Sequence, residues 1–195
     1  MKTRLLNASA PTSLYCAGDE SKRLTRLLDE ILDLSFLESG QVKLNISNLR
    51  LNEILQTALQ STQQSIANSN ALLEFDVNFT NTKIQTDPDR LSQVFINLIT
   101  NAVKYNDKSQ PILKISCKKN NDFLCVSFQD NGPGIPEAEH TIIFEKFTRL
   151  SNTENTSGIG LGLAISQEIM KNLGGSLICL ESKTGANFEV KIPLN

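Results

Sequence analysis

Apolar residues recur along this chain with two different periods, and the switches between them lay out a mixed α/β protein. Over residues 19–38, Leu24, Leu27, Leu28, Ile31, Leu34 and Leu37 form one stripe, with Lys22, Arg23, Arg26, Asp29 and Glu30 largely opposite, which predicts an amphipathic helix. Ser39-Gly40 ends it. Such a stripe is not expected to face water, so it should seek a partner helix or pack onto the rest of the chain. Alternation in Val42-Lys43-Leu44-Asn45-Ile46 predicts a strand, and Asn48 or Asn52 can cap a second helix running to about Ala67. Residues 72–79 and 83–85 read as a hairpin pair. Asp87-Pro88-Asp89 starts a third helix, with proline near its first turn, and Leu91, Val94, Phe95, Leu98, Ile99 and Val103 give it a core-facing side.

The second half continues the alternation. Two strands, 112–118 and 123–129, are joined by Asn120-Asn121, suited to a tight turn. Residues 131–158 hold glycines and prolines early and a polar run at 151–157, which reads as a long mobile loop with one short helical insert. A glycine-rich start leads into a helix over 161–173, closed by Gly174-Gly175, and strands near 176–181 and 188–192 finish the chain. Hairpin-paired strands with three helices to cover them imply a two-layer α/β sandwich. Residues 1–18, with Pro11 and Gly18 and no sustained period, read as an irregular leader. The expected division is leader 1–18, single helix 19–40 and α/β domain 41–195.

Composition narrows the function classes. The 195 residues are 39% hydrophobic and 21% charged, with a net charge of −2, as for a soluble globular protein. No dense run of Lys or Arg suggests nucleic acid or an anionic membrane surface. Cys16, Cys117, Cys125 and Cys179 show no ligand-like spacing and there is one histidine, which argues against zinc and fits reduced thiols in a cytoplasmic setting. Cys117 and Cys125 flank an expected hairpin turn and could approach each other, although buried free thiols are the expected reading. No apolar run reaches the ~20 residues of a membrane span, and the first 18 residues lack the apolar core of a signal peptide. The chain is expected to be cytoplasmic, or the cytoplasmic piece of a longer membrane-anchored protein.

The candidate chemistry starts on the third helix. Residues four apart share a helical face, so Asn97, Asn101 and Tyr105 align, with Lys104 beside them. Amides and a lysine on a packed helix need polar partners. A metal ion with a phosphate chain supplies both, since amide carbonyls suit a hard cation and an ammonium suits phosphate oxygens. Asp130-Asn131-Gly132-Pro133-Gly134-Ile135 follows a strand: its glycines let backbone approach a ligand, and its carboxylate can accept from an exocyclic amine, as adenine offers. A plain strand-to-loop turn explains that segment equally well when it is taken alone. Gly158-Ile159-Gly160-Leu161-Gly162-Leu163 opens a helix, where free amides and the dipole favour phosphate. A dinucleotide fingerprint fits it poorly, because no strand immediately precedes it. The order carries more weight than either glycine segment.

That order resembles the catalytic, ATP-binding domain of bacterial sensor histidine kinases, within the wider family that includes gyrase and the Hsp90 chaperones. Residues 97–106 resemble the family's N box, 130–135 its first glycine box, Phe144-Glu145-Lys146-Phe147 its F box and 158–163 its second glycine box. Gly185-Ala186-Asn187-Phe188 with Ile192-Pro193-Leu194 resembles the terminal G-T-x-F and L-P pattern, with Ala186 and Asn187 departing from the usual threonines. The resemblance covers about 46–195. It implies that Asn101 coordinates Mg²⁺, that Asp130 binds the adenine amino group, and that Lys104 and Tyr105 contact ATP. It further assigns Gly132, Gly134, Ile135, Gly158, Ile159, Gly160, Leu161, Gly162, Leu163 and Asn187 to the nucleotide, and Arg149 to the γ-phosphate. Residues 134–158 would form a lid that orders on binding. Asn97 stands where hydrolysing relatives place a glutamate that activates water, and an amide is no base. With Asn97, Lys104 and Arg149 as its catalytic set, the site would hold and orient ATP for an external acceptor.

In this family the acceptor is a histidine on the first helix of a dimerisation hairpin. Residues 20–40 resemble the second helix of that hairpin, and residues 1–18 carry no histidine. His140, the one histidine, lies between the first glycine box and the F box and is expected to be a solvated lid residue, not an acceptor. The expected function is Mg²⁺-ATP binding with phosphoryl donation to a histidine in trans or on a preceding helix, in a truncated piece or a natural short form of a two-component kinase. Partners implied are a histidine-bearing dimerisation domain, a response regulator and a second copy meeting through residues 20–38. A non-catalytic ATP-responsive binding module is the alternative.

Overall fold

The computed structural model describes residues 13–75, 81–150 and 158–194, and within the first helix not every side chain. Its elements are α1 (Ser13–Glu38), β1 (Ser47–Arg50), α2 (Leu51–Asn68), β2 (Leu72–Phe75), β3 (Lys83–Thr86), α3 (Pro88–Lys104), β4 (Ile112–Asn120), β5 (Phe123–Asp130), α4 (Gly162–Asn172), β6 (Ser176–Leu180) and β7 (Asn187–Pro193). A five-stranded sheet runs in the order β2-β4-β5-β7-β6, and β1 and β3 make a separate two-stranded ribbon.

The two-layer reading follows from strand alternation. Leu113 and Ile115, Leu124, Val126 and Phe128, Phe188, Val190 and Ile192, and Leu177 are all buried and lie in register on one face. Helices α2, α3 and α4 cover that face, and Phe95 of α3 meets Phe128 with ring centroids 5.2 Å apart. The opposite face is polar: Ser127 donates to Asn187 Oδ1 at 2.6 Å and Gln129 to Ser182 at 3.1 Å. Cys117 pairs with Val126, the neighbour of Cys125, so these two thiols point to opposite faces and no hairpin disulfide forms. Cys125 is the buried one, and burial pushes its thiol up.

Several local expectations differ from the structure. The first helix starts at Ser13, not at Asp19, so residues 13–18 are helical and not a leader; residues 1–12 lie outside the described residues. Residues 42–46 form no ladder, and the pairing starts at Ser47, opposite Thr86. Neither Asn48 nor Asn52 caps α2, whose N-cap is Arg50. Residues 72–75 and 83–86 are not a hairpin: β2 runs parallel to β4 and β3 antiparallel to β1. Four-residue strands specify a partner weakly, and Leu72 N–H extends the β4 side by donating to Pro111 O at 2.8 Å. The β4–β5 turn falls on Asn121-Asp122, one residue later than expected, because Asn121 takes the left-handed conformation (φ 51°). The loop after β5 holds two 3-10 turns, Glu137–Glu139 and Ile142–Phe144, in place of one helical insert.

The stripe on α1 divides its contacts. Leu34 and Leu37 are buried in the main core, and Asn172 of α4 donates to Leu37 O at 3.2 Å. Leu24, Leu28 and Ile31 stay exposed, as does Phe36. Within the stripe two residues pack into the core, three face outward and Leu27 is half-buried.

Candidate functional site

Asp87 sets the start of α3. Its Oδ1 accepts from the Asp89 and Arg90 amides at 3.1 Å each, and Oδ2 accepts from Asn45 N–H at 2.8 Å. With Leu91, Val94, Phe95, Leu98 and Ile99 buried below, the helix turns Asn97, Asn101 and Lys104 toward one long cleft. The cleft has a volume of about 400 Å³, and α3, the end of β5, the segment after it and the start of α4 line it.

Asp130 closes one end. It sits where β5 leaves the sheet, and Oδ1 accepts from Gly132 N–H at 2.8 Å and Ala186 N–H at 3.0 Å. Asp130 N–H donates back to Ala186 O at 2.9 Å, so side chain and backbone are both fixed. Burial raises the carboxyl above its ordinary value, and the Ala186 and Gly132 amides work against that rise. The walls around it, Leu98, Ala102, Phe128, Ile135, Ala186 and Phe188, are apolar. A flat, apolar slot ending in a fixed carboxylate accepts a heterocycle that carries an N–H donor.

The other end is polar. A side chain on Gly158 would stand 2.7 Å from Lys104 Nζ, so the ammonium lies against the glycine segment that leads into α4. Lys104 Nζ also lies 3.3 Å from the Tyr105 hydroxyl. No side chain caps the N-terminus of α4, whose first amides lack intrahelical acceptors. An ammonium and open helix amides together suit phosphate oxygens. Gly160 adopts φ +81° and tucks under the preceding segment, where Phe147 N–H donates to Gly160 O at 3.0 Å. Between the two ends, Asn97 Nδ2 donates to Ser166 Oγ at 2.9 Å, and Asn101 Nδ2 approaches Asn97 Oδ1 at 3.4 Å.

Of the residues anticipated from sequence, Asn97, Asn101, Lys104, Tyr105, Asp130, Gly134, Ile135, Arg149 and the whole run 158–163 line this cleft. Tyr105 does so from just beyond the last turn of α3. Gly132 does not line it; this glycine is buried behind Asp130, where a side chain would stand 3.1 Å from Oδ1, and it contributes its amide. Asn187 is a correction. Its side chain accepts from Ser127 on the polar face, while its neighbours Ala186 and Phe188 face the cleft, because successive strand residues point to opposite sides. His140 is less solvated than expected: it is partly buried, its Nε2 lies 3.0 Å from Ile135 O, and it is absent from the cleft lining. Part of the expected lid, residues 151–157, lies outside the described residues.

Sequence reasoning missed Glu30, Thr148, Ala186, Phe188 and Ser166. Glu30 belongs to the charged side of the α1 pattern, yet α1 docks so that it borders the cleft. Ser166 carried a usable signal, a serine within the otherwise apolar side of a helix and four residues after Gly162.

Comparison with known proteins supports this geometry. Residues 86–195 match the family model described as histidine kinase-, DNA gyrase B-, and HSP90-like ATPase. The adaptive-response sensory kinase SasA of Synechocystis is 29% identical over 93% of this chain and 48% of its own length. The circadian input-output histidine kinase CikA of Synechococcus elongatus is 32% identical over 90% of this chain and 24% of its own. The chain thus spans less than half the length of these relatives. Among solved structures, the histidine kinase AdeS of Acinetobacter baumannii aligns with TM-score 0.78 and 26% identity, over 96% of this chain and 87% of that one. The kinase ThkA in complex with the response regulator TrrA aligns with TM-score 0.75 and 25% identity, over 96% and 53%. The matched model covers more than half of the chain and all of the cleft's principal residues: this protein belongs to the histidine kinase-, DNA gyrase B- and HSP90-like ATPase family, and carries the ATP-binding catalytic domain found in sensor histidine kinases.

Proposed function

We propose that this chain binds Mg²⁺-ATP in the cleft and donates the γ-phosphate to a histidine on another helical segment. The observation that carries the reading is the polarity of one continuous cleft. A fixed carboxylate in an apolar slot lies at one end, and at the other Lys104 lies against the glycine segment that leads into an uncapped helix. Asp130 would accept from the adenine amino group, with Ile135, Phe128 and Ala186 around the ring. Lys104 and the amides of the 158–163 segment would hold the phosphates, and Arg149 would reach the γ-phosphate.

The residues present fit a nucleotide-carried magnesium ion. Asn101 uses its Nδ2 toward Asn97, which directs its carbonyl oxygen elsewhere, and amide oxygens suit this cation. The remaining coordination positions would be filled by phosphate oxygens of the nucleotide. When bound, the ion neutralises charge on the triphosphate. Asn97 holds no base, and its amide contacts both Ser166 and Asn101, so this position cannot itself activate water and suits an external acceptor.

The exposed Leu24, Leu28 and Phe36 on α1 offer an apolar side to a histidine-bearing helix or to a second copy of this chain. ThkA was solved in complex with a response regulator, which supports a response regulator as a further partner of this chain. Cys125 and Cys179 form no disulfide, which fits a reducing cytoplasmic setting, and no helix among the described residues is long and apolar enough to cross a membrane. The test is γ-labelled ATP with a separately supplied histidine-bearing helical domain. Acid-labile label on that domain supports phosphoryl donation. Tight ATP binding without transfer to any such domain favours a nucleotide-responsive binding module.

A further inference from the structure

Ser166 is 1% exposed and lies on the inner side of α4, where its Oγ accepts from Asn97 Nδ2 at 2.9 Å. Gly162, one turn earlier on the same helix, leaves no room for a side chain beside Asn97 Oδ1. Helix α4 therefore confines the Asn97 amide from two successive turns. The amide in turn shows its oxygen to Asn101 Nδ2, 3.4 Å away. A side-chain amide is polar in one direction, and that direction passes along such a chain. If Asn97 turned its NH₂ toward Asn101, the Asn101 amide would have to turn as well, and an NH₂ would stand where a cation needs an oxygen.

We propose that Ser166 is a positioning residue that holds the Asn97 amide in place, and through it steadies the Asn101 amide that would offer its carbonyl oxygen to the magnesium of bound Mg²⁺-ATP. This rests on the Mg²⁺-ATP reading above and adds a residue from the far side of the cleft to it. The contact also couples α4, whose start cradles phosphate, to the metal ligand on α3. Neither helix can shift alone without disturbing the other's part of the site. The adenine end, fixed through Asp130, Gly132 and Ala186, shares none of these contacts.

The separation between the two ends gives the test. Affinity for ATP is measured by calorimetry in Mg²⁺ and in chelator, for the wild type, Ser166→Ala, Ser166→Cys and Ser166→Thr. Cysteine keeps the volume with a weak acceptor, so it reports on the hydroxyl even if alanine opens a cavity that unfolds the protein. The inference expects Ser166→Ala and Ser166→Cys to bind ATP about five- to tenfold more weakly in Mg²⁺, the cost of about one buried hydrogen bond, with affinity in chelator unchanged. Threonine should restore the wild-type value. In the nucleotide-free wild type, the Asn97 side-chain NH₂ should exchange slowly by NMR and lose that protection in Ser166→Cys. Equal losses with and without Mg²⁺ reduce Ser166 to a packing residue and overturn the inference. So does a wild type that binds ATP equally in both conditions, which leaves the nucleotide site standing. A wild type that binds no ATP at all removes the site and this inference together.

Discussion

Arg90 places one guanidinium nitrogen 2.8 and 3.0 Å from the two carboxylate oxygens of Asp33, joining residues 57 apart in sequence. Gln93 reinforces the pair, donating to Asp33 Oδ2 at 3.1 Å and accepting from Arg90 at 3.1 Å. This clasp fixes α1 against α3 beside the buried Leu34 and Leu37, and so decides that Glu30 borders the nucleotide cleft. The lone helix is thus a docked part of the catalytic domain along its C-terminal half.

Both members of the clasp are about one-quarter exposed, at 26% and 25%, so solvent screens them only in part. Asp33→Ala is expected to cost about 1 kcal/mol, less at high salt, and to speed amide exchange over residues 30–38. Lys146 and Glu38 form another tie to α1, but their side chains are 47% and 43% exposed, and Glu38→Ala should change stability by no more than about 0.5 kcal/mol. Urea unfolding at two salt concentrations, with exchange mapped by mass spectrometry, checks both.

Asp130 should trade stability for binding. Burial holds its folded-state value above the ordinary 3.8, so the folded protein favours the protonated form more than the unfolded chain does. The stability this group contributes is therefore highest below 3.8 and is lost as pH rises from there through the raised folded value. Asp130→Asn, which can still accept from Gly132 and Ala186 without a charge, should melt no lower than wild type at neutral pH. With adenine bound through the ionised carboxylate as proposed, ATP affinity should fall on acidification at a higher pH than for an ordinary aspartate. Melting curves of the variant and ATP titrations across the acidic range test the two halves separately.

Two glycines with similar backbone angles should respond differently. Gly160 has φ +81° and a side chain there would meet Thr148 O at 2.6 Å, whereas Gly40 has φ +65° and nothing within 4 Å. Gly40→Ala carries conformational strain alone, about 1 kcal/mol. Gly160→Ala adds a backbone collision and should cost about 2–4 kcal/mol and weaken ATP binding. Chemical denaturation of both variants gives the comparison.

Much of this was legible in the sequence, for a physical reason. Leu91, Val94, Phe95, Leu98, Ile99 and Val103 repeat with a helical period over a capped start, so α3 and the facing of Asn97, Asn101 and Lys104 follow from local chemistry. The long antiparallel pair β4–β5 was equally readable, its turn displaced by one residue. What escaped was set by distant partners. Nothing local in residues 72–75 states that they run parallel to a strand nearly forty positions on, or that 83–86 pairs backward with β1. The face of Asn187 depends on the register of β7, which its motif does not specify. Glu30 and Ser166 belong to the site through the docking of α1 and α4, and only the tertiary arrangement brings them to it.

The central claim is that Mg²⁺-ATP occupies this cleft with adenine on Asp130, and titration calorimetry of ATP against GTP with wild type and Asp130→Asn tests it most directly. The account expects wild type to bind ATP at least about tenfold more tightly than GTP in Mg²⁺, and Asp130→Asn to lose that preference while remaining folded. Absence of heat and of any melting shift with saturating Mg²⁺-ATP, or an undiminished preference for ATP in the folded variant, would contradict it.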